Sequence, residues 1–70
     1  MDIRTLEDLG NTIMYARVRA RRSQGDVAQR VGIHSDTLCR IERGNRFPRG
    51  ETLFKLFAEL GLDWQLTVRD

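Results

Sequence analysis

The sequence predicts a mainly α fold of four to five short helices followed by one short strand. Three observations predict it. Apolar residues recur three and four apart through most of the chain, capping residues and glycines punctuate those stripes, and strict alternation replaces helical spacing only after Gly61. The 70 residues are expected to form one domain, 1–70, with no linker and no internal repeat. A domain of this size buries only about 60% of the surface its unfolded chain exposes, so a partner is expected to complete it.

The first helix opens at Thr5-Leu6-Glu7-Asp8, a hydroxyl cap with a carboxylate three residues on, and carries Leu6, Leu9, Ile13, Ala16 and Ala20 on one stripe. It is expected over residues 6–21. Ser23-Gln24-Gly25-Asp26 repeats that cap, and Val27, Ala28 and Val31 give a two-turn helix that Gly32 ends. Ser35-Asp36-Thr37 opens a third helix with Leu38 and Ile41 on its apolar face, closed by Gly44. Asn45-Arg46-Phe47-Pro48-Arg49 reads as an irregular basic loop. The fourth helix shows Leu53, Leu56, Phe57 and Leu60 at i, i+3, i+4 and i+7 and stops at Gly61. Beyond it Leu62, Trp64, Leu66 and Val68 alternate with polar residues, the pattern of a half-buried strand over about residues 62–69. No earlier segment offers a second strand. The expected partner is therefore the same strand of another copy, which implies a two-fold homodimer with Leu62, Trp64, Leu66 and Val68 at its interface.

Composition narrows the function. Residues 1–10 carry Asp2, Arg4, Glu7 and Asp8 where a secretory signal needs an apolar stretch, and no run is long and apolar enough to span a membrane. The single Cys39 makes no internal disulfide, and with His34 as the one histidine there is no zinc-ligand set. No metal or cofactor is expected, and the expected location is a reducing cytoplasm. There is no glycine-rich phosphate loop, no carboxylate pair with an associated cleft, and no positioned base for Cys39, so the chain is not expected to be an enzyme. Charge, by contrast, is distributed unevenly. Residues 17–49 hold nine arginines against Asp26, Asp36 and Glu42, whereas the rest of the chain holds three basic and seven acidic residues. Arginine outnumbers lysine 11 to 1, and a guanidinium grips phosphate in a bidentate way that an ammonium does not. A basic middle between acidic ends points to nucleic acid, although a solvated surface gives similar charge runs.

Residues 23–44, two short helices joined by a glycine turn, have the spacing of a helix-turn-helix, with Ala28 small enough for close helix crossing. Arg17, Ser23-Gln24, Val27-Ala28, Gly32-Ile33, Leu38, Ile41-Glu42, Gly44, Pro48 and Leu53 resemble, position by position, the Cro/repressor-type (XRE) helix-turn-helix family over residues 9–61. The strand that follows resembles the HipB-type antitoxins, whose C-terminal strands pair at the dimer interface. The resemblance implies a lambda-repressor-like DNA-binding domain that represses transcription from a palindromic double-stranded operator. It also implies a toxin-antitoxin operon and a HipA-like kinase toxin as protein partner. Two rivals stand beside it. A phage Cro-like repressor or restriction-modification controller commonly ends in helix, which the strand argues against. A protein-interaction module would neutralise a toxin with little DNA binding.

Family resemblance also suggests roles for individual residues. It pairs Arg17 with Glu42 across two helices and turns Arg17 and Gln24 toward DNA phosphates. The third helix would enter the major groove with Ser35, Asp36, Cys39 and Arg40 as base readers; Arg40 leads because bidentate arginine to guanine is the commonest specific contact. Asp36 either accepts from cytosine N4 or holds Arg40 four residues on, and the second role is preferred. Cys39 reads as a small neutral residue at the groove. Thr37, Arg43, Arg46 and Arg49 are assigned to backbone phosphates. His34 stands where the family usually has a Ser or Thr cap, so Ser35 is the candidate to take over the cap. A lone histidine at the solvent edge is ordinarily a surface residue. Phe57 and Trp64 fall on core or interface positions, and Phe54 lies off the stripe of its helix.

Overall fold

Two of the four helix starts are set by capping side chains next to them in the chain. The computed structural model describes residues 3–63, which form four helices: α1 (Leu6–Arg19), α2 (Gln24–Val31), α3 (Ser35–Glu42) and α4 (Gly50–Glu59). Thr5 caps α1 with a full capping box: its hydroxyl accepts from the Asp8 N–H at 3.0 Å, and the Asp8 carboxylate accepts from the Thr5 N–H at 3.3 Å. Ser23 caps α2 in the forward direction alone, accepting from the Asp26 N–H at 3.0 Å. The return arm expected there is missing because Asp26 turns to Arg22, 2.8 Å away. At α3 the cap is His34, and its side chain makes no cap hydrogen bond. Ser35 does not take over: it is already the first helical residue.

All four helices close with the same paired turn, in which N–H groups fold back onto the last carbonyls. Gly32, Gly44 and Gly61 hold the left-handed position in three of them, and Arg21, at φ 59°, holds it after α1. The first helix thus ends two residues earlier than expected, with no glycine to mark the stop. The left-handed conformation costs a non-glycine residue about 1–2 kcal/mol. Here it is held by Arg22 N–H to the Arg17 carbonyl at 3.2 Å and by Arg17 Nη1 donating back to the Arg22 carbonyl at 2.8 Å.

The helices share one core of Leu9, Ile13, Val27, Ala28, Val31, Leu38, Ile41, Leu56 and Phe57. Helix α3 packs on α1 and α2, and α2 on α4, so α3 rests on two helices while its outer face stays open. Gly10 permits the α1 contact, since it faces the backbone carbonyls of Ile41 and Glu42. Leu62 departs from its expected role in the strand: its N–H closes α4 onto the Phe57 carbonyl at 2.8 Å, and its side chain packs on the core of its own chain. Trp64, Leu66 and Val68, and with them the rest of the expected dimer strand, lie outside the described residues.

Arg22 joins the turn between α1 and α2 to the end of α4. It donates from Nε to Asp26 and from Nη1 to Glu59, which Arg30 also approaches at 3.5 Å. The hydrogen bond from Arg22 holds the Glu59 carboxyl below its ordinary range. A carboxyl lowered in the folded state stabilises that state above its unfolded value, and this contribution is lost as pH falls through the folded value. Thermal melts of the wild type and Glu59→Gln should therefore differ at neutral pH and converge only as pH falls below the ordinary carboxylate range. A gap that stays constant across that range would show that the carboxylate contributes nothing through its charge.

Candidate nucleic-acid interface

Helix α3 presents its charge to solvent because its apolar residues are few and all on one side. Leu38 and Ile41 are fully buried, which leaves Ser35, Asp36 and Arg40 exposed and Thr37 and Cys39 half-buried. Arg43, Arg46 and Arg49 follow on the exposed turn and loop after it. Pro48 alone among the loop residues 45–49 is buried, and it fixes the segment between α3 and α4. Phe47, 65% exposed, points away from the core.

The arginines of the basic middle divide into two sets. Arg17, Arg22 and Arg30 are bound to carboxylates, and Arg19 donates to the Tyr15 hydroxyl at 3.1 Å. Arg21, Arg40, Arg43, Arg46 and Arg49 have no carboxylate within ion-pair distance among the described residues; Arg21 stands alone in the turn after α1, and the other four cluster on α3 and the loop after it. Nor is there such a pair between Asp36 and Arg40, contrary to the preferred role for Asp36. Both side chains are exposed, and an exposed pair four apart gains about 0.3–0.5 kcal/mol, too little to hold two solvated side chains together. The four guanidiniums of α3 and the loop after it are therefore uncommitted among the described residues.

Beneath this face lies a polar cluster that links three helices. Glu42, with 3% of its side chain exposed, accepts from Arg17 Nε at 2.7 Å and from Arg17 Nη2 at 3.0 Å. It also accepts from Gln24 Nε2 at 2.9 Å. Arg17 approaches from α1, Gln24 from the start of α2, and Glu42 from the end of α3. The bond to Glu42 raises the Arg17 pKa above its already high ordinary value, so the guanidinium is charged at any pH the fold survives. Three of the five N–H groups of Arg17 are used inside the protein, which leaves two for an outside acceptor. Gln24 keeps its carbonyl oxygen and one N–H in the same way. Sequence reasoning linked neither Gln24 to Glu42 nor Arg22 to Glu59; no local spacing signals either pair.

A family model described as a helix-turn-helix domain matches residues 8–67. Two solved structures superpose on this chain with a TM-score of 0.82 and 23% sequence identity. One is a HipA-HipB-O2-O3 complex, in which the alignment covers 100% of this chain and 99% of the other. The second is a complex of a HipB variant with an O2 20mer, covering 100% and 97%. The two likenesses extend over the whole fold. No curated protein matches the sequence.

Proposed function

The chain belongs to the helix-turn-helix domain family, and we propose that it is a transcriptional repressor that binds a palindromic double-stranded operator as a homodimer. The observation that carries this reading is the cluster of four exposed guanidiniums at Arg40, Arg43, Arg46 and Arg49, on α3 and the loop after it, with no carboxylate partner among the described residues. A guanidinium with no internal partner on the outer face of α3 has phosphate and base edges as its natural acceptors. In this reading Arg40, Ser35, Asp36 and Cys39 meet base edges, while Arg43, Arg46, Arg49 and Thr37 grip phosphates. Arg17 and Gln24 offer their remaining donors to phosphate from a position that Glu42 holds firm. Two recognition helices must stand about 34–36 Å apart to enter successive major grooves, which is why the dimer matters. The molecule acts by occupancy, with no chemical step of its own. Its likeness to HipB in complex with HipA extends the proposal to an antitoxin with a HipA-like kinase toxin as partner. Tyr15 and Val18, large side chains exposed on α1, favour a protein-binding role that coexists with DNA binding.

The test is a fluorescence titration of duplex DNA. If a dimer neutralises about eight phosphates, log affinity falls with log salt at a slope near −7. Replacing Arg43 or Arg46 with alanine flattens that slope and weakens all sequences alike. Arg40→Ala costs about 1–3 kcal/mol on the operator and much less on unrelated DNA. Affinity independent of salt would overturn the proposal; equal losses on both DNAs would move Arg40 to the phosphate contacts.

A further inference from the structure

We infer that the cleft between the α2–α3 turn and the start of α4 takes a backbone phosphate of DNA, with His34 as a proton-linked contact that makes affinity rise as pH falls. This rests on the DNA-binding reading above. The cleft has a volume of about 290 Å3 and is walled by His34 at the cap of α3, Thr37 on α3, Arg46 and Arg49 on the basic loop, and Thr52 on α4, with Ile41 among its apolar lining. Not one carboxylate lines it. Asp36, two residues from His34, and Glu51, next to Thr52, are both exposed and off the cleft, and Glu51 pairs with Lys55 at 3.1 Å.

The polar side chains of the wall are two guanidiniums, two hydroxyls and one imidazole, a set that donates to oxygen from several sides and suits a phosphate group. Among the described residues nothing already uses them. Arg46 and Arg49 are without an ion pair among the described residues, and the His34 ring makes no cap bond to α3. A phosphate seated in the cleft favours a charged imidazole beside it, so binding takes up a proton at the side chain type whose charge changes between about pH 5 and 8. His34 is the one histidine of the chain, which makes the effect assignable to it.

The experiment measures the affinity of the full chain for a random-sequence duplex of about two helical turns at fixed ionic strength, near pH 6 and near pH 8. The expected result is wild-type binding about three- to tenfold tighter at the lower pH, and no such difference for His34→Gln. That variant keeps the fold because the His34 side chain makes no bond to lose. Thr52→Val should weaken binding at both pH values. A wild type that is flat with pH, or a His34→Gln variant that keeps the dependence, overturns the inference. If the duplex binds at neither pH, the DNA-binding reading itself fails, and inorganic phosphate is titrated against the His34 ring signals by NMR. Shifts there retain the anion cleft; their absence overturns it as well.

Discussion

Glu42→Ala is expected to destabilise the fold by about 3–5 kcal/mol, the range for breaking a buried ion pair on one side. Glu42 accepts three hydrogen bonds with 3% of its side chain exposed, and its removal leaves the Arg17 guanidinium, 14% exposed, charged and without its carboxylate. Gln24 loses its acceptor in the same step. Against a total stability of about 5–15 kcal/mol for a domain, this is a large fraction. Removing Arg17 as well takes away the stranded charge, so the double variant should recover part of the loss. Urea unfolding of the wild type, both single variants and the double variant measures the coupling. Additive losses would show that the pair contributes nothing beyond its separate side chains.

Gly10→Ala is expected to cost about 3 kcal/mol, at the top of the range for overpacking. Two effects compete. Alanine in the middle of a helix is favoured over glycine by about 1 kcal/mol. A Cβ at Gly10, however, would stand 2.6 Å from the Glu42 carbonyl oxygen and closer still to that of Ile41. Those are backbone atoms of α3, which cannot swing aside as a side chain can, so the clash outweighs the propensity. Relief requires α3 to move off α1, and α3 carries the candidate base readers. Calorimetry should show a lower melting temperature. DNA affinity should fall even where the variant remains folded. A higher melting temperature would show that α1 and α3 are not in such close approach.

The helices were legible in the sequence because their signals are local. Thr5 with Asp8, Ser23 with the Asp26 N–H, and the stripe Leu53, Leu56, Phe57 and Leu60 all act within one or two turns of chain, where spacing alone decides which groups meet. The expectations that failed locally did so where a side chain found a competing partner or a backbone turn needed no glycine. Asp26 left its cap for Arg22, and α1 ended at a left-handed Arg21 that Arg17 and Arg22 hold in place.

By itself, then, the sequence determined the helix order, the apolar core and the concentration of arginine between residues 17 and 49. Tertiary structure alone decided which of those arginines remain available. Arg22 reaches Glu59 across 37 residues and Arg17 reaches Glu42 across 25, while Arg40, Arg43, Arg46 and Arg49 reach no carboxylate among the described residues. It also decided that Gln24 supports Glu42, that Gly10 lies directly against the α3 backbone, and that His34 shares a cleft with Arg46 and Arg49. The physical reason is reach. Caps and periodicity are settled by bonds between near neighbours in the chain, whereas a charge is committed or free according to what packing brings beside it, and composition carries no record of that.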